Sequence, residues 1–153
     1  MLLVVGGQHR KIGKTCLVEE LIRATPEARW TALKIAHRHA GLATHGDTER
    51  YLSAGAARSQ LLEIDPGGLR LAVPAIREIL ATSPNVICES NSILEFFWPD
   101  LYLFLSDPAD AEMKDSARRF ASRADLVLHP PAQLTPDLIA LVRRFLAAPG
   151  RPL

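Results

Sequence analysis

Several features that mark whole classes of protein are scarce or missing in this chain. Its 153 residues include only two cysteines, Cys16 and Cys88. They lie far apart and in apolar settings, which argues against a disulfide framework or a cysteine metal site. Buried free thiols in a reducing, cytoplasmic setting are expected instead. No apolar run approaches the length of a membrane span, and the apolar segment at the start has no basic region before it, so it is expected to be a strand rather than a signal peptide. The net charge is only +1, so bulk charge gives no argument for nucleic acid. Internal repeats, low-complexity tracts and linkers are absent too. With 48% hydrophobic and 23% charged residues, the composition is that of a globular chain. One domain is expected over residues 1–148, with a frayed tail at 149–153.

What is present is concentrated at the start. Leu2, Leu3, Val4 and Val5 run into paired glycines, a polar basic loop follows, and then Gly13-Lys14-Thr15. This is the order of a buried strand, a phosphate-cradling loop and a helix start. In such a loop successive backbone N–H groups point into one concavity, and the following helix adds its positive end. Gly13 lets the backbone turn without a Cβ clash. Lys14 supplies charge for the β/γ-phosphates, and the Thr15 hydroxyl is placed for Mg²⁺. The candidate ligand-binding stretch is Gly7, Gln8, His9, Arg10, Lys11, Ile12, Gly13, Lys14, Thr15 and Cys16. The usual template has a glycine five residues before Gly13, where this chain has Gln8; counted from Gly7 the loop is one residue longer, G-x5-G-K-T. A chance G-K-T is the competing reading. The strand before it and the amphipathic helix after it favour the phosphate loop, with Leu17, Val18, Leu21 and Ile22 on one face and Glu19 and Glu20 on the other. Residues 1–40 also carry seven basic side chains against three glutamates, an excess that a polyanionic ligand would explain.

The rest of the chain alternates strand and helix patterns. Strands are predicted at Leu2–Val5, Trp30–Ala36, Ser59–Ile64, Val86–Glu89, Leu101–Leu105 and Asp125–Leu128, and helices at Lys14–Ala24, Thr48–Ala54, Asp110–Arg123 and Thr135–Ala147. Leu69–Val73 reads as a hairpin strand after the turn at Asp65-Pro66-Gly67-Gly68, with Pro74 opening another helix. The last helix is expected to bury Leu138, Ile139, Leu141, Val142, Phe145 and Leu146. The implied fold class is α/β, a mostly parallel sheet flanked by helices on both faces in the three-layer manner of P-loop NTPases. Ligands of such sheets bind at the carboxyl ends of the strands, so residues following the first, second and fourth strands should converge.

Those residues carry chemistry. Lys34 sits in an otherwise apolar strand, which is costly unless its ammonium reaches solvent or an anion. His37, His39 and His45 form a loop cluster that could ligate a metal or face solvent or substrate. Asp47 suits either a helix cap or a metal-proximal carboxylate. Glu89 closes a buried strand, where a carboxylate can organise Mg²⁺ and water. Asp107, in Ser-Asp-Pro, could approach a base or simply shape a turn. No N-K-x-D segment is present, so GTP and ATP are not distinguished. Lys14, Lys34, Asp47 and Glu89 are the candidate catalytic residues; Thr15, Asp47 and Glu89 are the candidate metal ligands.

Gly13-Lys14-Thr15, Lys34 with His37, the segment Asp47-Thr48-Glu49-Arg50-Tyr51-Leu52-Ser53-Ala54-Gly55-Ala56 and Val86-Ile87-Cys88-Glu89 together resemble the molybdopterin-guanine dinucleotide biosynthesis protein B (MobB) group, small GTP-binding proteins of the SIMIBI class of P-loop NTPases. The resemblance covers about residues 2–92, and the D-T-x-x-Y-x-x-A-G-A segment is its most specific part. Two departures accompany it: Ser90 stands where the family has glycine, and the longer loop is more similar to dethiobiotin synthetase and cobyrinate amidotransferase-type synthetases. The resemblance implies GTP, or ATP, with Mg²⁺, slow hydrolysis, a homodimer, and attachment or delivery of a molybdopterin nucleotide. An ATP-dependent synthetase or kinase acting on a small acid and a nucleotide-switched adaptor are the alternatives.

Overall fold

The computed structural model describes residues 1–37, 46–65, 67–131 and 134–148. His39 and His45 of the expected histidine cluster, and the tail at 149–153, lie outside the described residues. The elements are β1 (Leu2–Gly7), α1 (Lys14–Ala24), β2 (Thr31–His37), α2 (Gly46–Ser53), β3 (Arg58–Ile64), α3 (Leu69–Thr82), β4 (Val86–Glu89), β5 (Leu101–Leu105), α4 (Asp115–Phe120), β6 (Leu126–Leu128) and α5 (Pro136–Ala147), with short 3₁₀ turns at Pro26–Ala28, Ser92–Glu95 and Ala121–Arg123.

The six strands form one sheet in the order β3-β2-β4-β1-β5-β6, and every pairing is parallel. β1, β4 and β5 are buried along their whole lengths, as continuous apolar strands in a doubly covered sheet must be. Alternation along β1 sends Leu3 and Val5 to one face and Leu2 and Val4 to the other. The first face packs against Leu17, Leu21 and Ile22 of α1, Tyr51 of α2 and Leu138 and Val142 of α5. The second packs against Ile76, Ile79 and Leu80 of α3 and Phe120 of α4. This is a three-layer α/β fold. Among the described residues no helix is long and apolar enough to cross a membrane.

Several local expectations are corrected. Leu69–Val73 is the start of α3, not a hairpin strand, and Pro74 lies inside that helix. The flanking strands β3 and β4 run parallel on either side of β2, so the link between them needs a crossover, and topology overrides the local apolar run. Residues 110–114 are not helical; α4 begins at Asp115 because the preceding backbone is bonded elsewhere, the Asp110 carbonyl to the Gln8 side chain and the Lys114 N–H to the Gln8 carbonyl. Glu19 is buried rather than outward, ion-paired to Arg50 at 2.6 Å. Ile139 belongs to neither core cluster. Cys16 is exposed, whereas Cys88 is buried as expected.

Pro74 has no N–H to offer the Arg70 carbonyl one turn back, and its side chain is on the exposed face of α3. Pro74→Ala is therefore expected to raise the urea unfolding free energy by about 1–2 kcal/mol, the helical gain being partly offset by the freer unfolded chain. An unchanged or lower midpoint would contradict an interior helical position.

Candidate functional site

The carboxyl ends of β1, β2 and β4 open into a cleft of about 580 Å³, lined among others by Arg10, Lys11, Gly13, Lys14, Thr15, Cys16, Lys34, His37, Asp47 and Glu89. That volume falls in the range of about 300–1,000 Å³ usual for small-molecule sites. A smaller cavity of about 100 Å³, bounded by Trp98, Asp100 and Asp125, lies beside the opposite ends of β5 and β6; ligands of open parallel sheets are not held there.

The loop between β1 and α1 turns through two left-handed residues, Lys11 (φ 62°) and Gly13 (φ 102°). Only glycine adopts the second without strain. Gly13 heads α1, and no side chain caps that helix. The first intrahelical bond runs from the Leu17 N–H to the Gly13 carbonyl at 3.0 Å, so the N–H groups of Lys14, Thr15 and Cys16 have no acceptor one turn earlier. Lys14 Nζ donates back to the His9 carbonyl at 2.9 Å. Burial lowers the Lys14 pKa, Glu89 opposes this, and Lys34 and Arg10 reinforce it. An anion beside Lys14 would relieve that cost.

Glu89 is only 6% exposed, and its carboxylate is fully engaged. Oε2 accepts from Thr15 Oγ1 at 2.8 Å and from the Tyr51 hydroxyl; Oε1 accepts from Lys34 Nζ at 3.1 Å. Lys34 also donates to Asp47. Burial works against the Lys34 ammonium, but Glu89 and Asp47 outweigh it and raise its pKa. Burial, then Glu89, pushes the Tyr51 phenol up, so it stays a donor. The D-T-x-x-Y-x-x-A-G-A segment explains this meeting. Asp47 and Tyr51 stand one turn apart on α2, which puts both on one helix face. Gly55 (φ 106°) then ends the helix, with the Ala56 N–H bonded to the Tyr51 carbonyl at 3.0 Å and the Gly55 N–H to Leu52 at 2.9 Å. Asp47 lies in the first turn of α2 with its carboxylate on Lys34; Arg50, one turn on, ties α2 to Glu19 of α1.

Not every predicted loop residue faces the cleft. The Ile12 side chain is buried in the core. Gln8 is 2% exposed and turns away: its Oε1 accepts from Ser106 Oγ and the Asp107 N–H, both at 2.9 Å, and its Nε2 donates to the Asp110 carbonyl at 2.5 Å. Its N–H is bonded to Leu105 at 2.9 Å. His9 is held 3.2 Å from the Asp110 carboxylate. Asp107 caps its own turn through Ala109 at 2.9 Å. Among the described residues no group of three or more His, Cys, Asp or Glu is arranged to hold a metal ion.

Three residues not singled out by sequence belong to the site. Asn91 closes both backbone groups of Gly7, accepting from its N–H and donating to its carbonyl at 2.8 Å each. Tyr51 completes the Glu89 shell, and Lys114 lines the cleft from beyond β5. The Ser-Asn-Ser run after the acidic strand end was the available signal for Asn91; Lys114 had none, because only the tertiary fold brings it in. No protein-family model matches this chain, and no curated protein matches it.

Removing Lys34 leaves Glu89 buried without its counter-charge and, among the described residues, leaves Asp47 with Arg50 alone, at 3.8 Å. Lys34→Met is expected to cost about 2–4 kcal/mol at pH 7 in urea unfolding. The folded pKa of Lys34 lies above its ordinary value of 10.5, so this contribution is complete below that pH and fades as pH rises through the folded pKa. The gap between wild type and variant should therefore shrink above about pH 10.5 and stay constant near neutrality. A gap that widens with alkali would contradict the pairing.

Proposed function

We propose that this chain is a Mg²⁺-dependent, P-loop nucleoside triphosphate-binding protein of MobB-like type, GTP being favoured, with slow hydrolysis. One observation carries this reading: the Thr15 hydroxyl at the head of an uncapped helix lies 2.8 Å from the carboxylate that ends β4, beneath a loop whose lysine rests on a loop carbonyl. Backbone N–H groups at the start of α1 would hold phosphate oxygens. Lys14 would leave the His9 carbonyl for the phosphate chain. The oxygen donors Thr15 and Glu89 suit Mg²⁺, which usually takes few protein ligands and completes its shell with phosphate and water. Bound there, Mg²⁺ neutralises charge on the phosphate oxygens. Glu89 would orient water, with Lys34 and Asp47 holding that carboxylate in place.

The further reading is a cytoplasmic, homodimeric protein that assists nucleotide attachment to molybdopterin or delivers that cofactor. It rests on the D-T-x-x-Y-x-x-A-G-A segment, whose Asp47 and Tyr51 join the Glu89 cluster. A dethiobiotin synthetase-like enzyme is the second reading, favoured by the reach of the same cleft from the loop to His37 and Ser92, which leaves room for a second substrate.

Titration calorimetry with Mg²⁺–GTP and Mg²⁺–ATP tests the site. Lys14→Ala should abolish triphosphate binding, and Thr15→Ala should remove its Mg²⁺ dependence. Unchanged affinity in Lys14→Ala would sink the assignment.

A further inference from the structure

We propose that Lys114 is a ligand-contacting residue, its ammonium gripping the bound phosphate chain from the β5 side of the loop, opposite the Lys34 cluster, so that the site selects polyphosphates over a single phosphate. This rests on the reading of the loop as a triphosphate site.

Lys114 lines the same cleft as Lys14, Thr15 and Lys34. The sheet order sets the two flanks: β4 and β2, bearing Glu89 and Lys34, lie on one side of β1, and β5 lies on the other. Lys114 sits on the strap that follows β5. Its backbone is fixed rather than loosely exposed, because its N–H donates to the Gln8 carbonyl at 3.0 Å. The buried Gln8 side chain holds the start of the same strap at Ser106, Asp107 and Asp110. The residue occupying the template's glycine position thus places a distant lysine beside the loop.

Lys34 and Lys114 differ in what already occupies them. Lys34 is held by two carboxylates. Lys114 is half-buried, and among the described residues no carboxylate lies within ion-pairing distance of its ammonium. The charged groups acting on it are Lys14 and Arg10 of the loop, Glu89 of β4 and Glu112 of its own strap; burial, then the two loop cations, pushes its pKa down to about 8. Cations brought together without a matching anion form a site for one. With Lys14 on the loop and Lys114 on the strap beyond β5, a chain of phosphates would offer each lysine its own anion, which a single orthophosphate would not.

The test is calorimetry of wild type, Lys114→Gln and Lys114→Arg with Mg²⁺–GTP, pyrophosphate and inorganic phosphate near pH 8, in two buffers of different ionisation enthalpy. Lys114→Gln should weaken GTP and pyrophosphate binding about 10- to 100-fold while leaving inorganic phosphate nearly unchanged, as expected for one charge-assisted contact. Lys114→Arg should restore most of the affinity. Anion binding raises the Lys114 pKa, so wild type should take up protons, and wild-type affinity should fall as pH rises above about 8. Lys114→Gln should lose the part of that uptake due to Lys114. Wild-type GTP binding with unchanged affinity and proton uptake in Lys114→Gln overturns the Lys114 assignment and leaves the loop reading standing. Failure of wild type to bind GTP or pyrophosphate overturns both.

Discussion

A buried carboxylate must be fully partnered, and the cleft end of this protein is organised around one. Glu89 ends β4, between β2 and β1, where both neighbours can reach it. Its oxygens take a hydroxyl from α1, a phenol from α2 and an ammonium from β2. Leaving any of those bonds unmade would expose the carboxylate to the cost of desolvation without compensation. The orientation of α1, the docking of α2 and the burial of a lysine in an apolar strand are thus parts of one solution. A cluster of well-packed apolar side chains would serve stability as well or better. What an apolar cluster would not provide is a carboxylate held against the hydroxyl at the head of α1.

The loop above that carboxylate is held from two directions. Asn91 ties both backbone groups of Gly7 from the β4 side. Gln8 ties the loop to the strap beyond β5. A Cβ on Gly6 would sit 2.4 Å from Asn91 Oδ1 and 2.6 Å from the Tyr102 hydroxyl, so the close approach needs glycine there. With its first residues bonded away from the cleft, the loop keeps Lys14, Thr15 and Cys16 at its open side. A loop already fixed in shape loses little further freedom when a ligand arrives, which is how preorganisation raises affinity.

Much of the fold was legible because fully buried parallel strands are continuous apolar runs, and β1, β4 and β5 stand out on that ground alone. Lys34 and Glu89 were legible as polar residues interrupting or ending an apolar strand, Lys14 and Thr15 through the G-K-T run between such a strand and an amphipathic helix, and Asp47 as the acidic residue at the start of a short helix. What failed was decided by distant partners. Leu69–Val73 is locally a fair strand; only the parallel pairing of its neighbours makes it helix. Asp110–Lys114 is locally a fair helix start; only Gln8 bonds its backbone away. Glu19 reads as an outward residue until Arg50 of α2 covers it. Gln8 itself read as a departure from a template, and its use as a tie between loop and strap has no signature at the level of spacing.

The charges of the cleft fall into two unequal sets. Lys34, Asp47 and Glu89 satisfy one another beneath the loop, with Arg50 3.8 Å from Asp47 at the edge. Around the loop, Arg10 lowers the proton affinity of both Lys14 and Lys114, Lys14 adds to the effect on Lys114, and among the described residues no carboxylate is ion-paired to either lysine. A free divalent cation approaching this rim meets net positive charge and a carboxylate already saturated by three donors. A ligand with several negative charges meets the reverse: it offsets the mutual repulsion of the rim cations and gives Lys14 a better partner than a neutral carbonyl. On the proposed reading, the order of events follows from this asymmetry. Thr15 and Glu89 would take Mg²⁺ together with the phosphate chain rather than ahead of it, the Thr15 hydroxyl giving up its bond to Glu89.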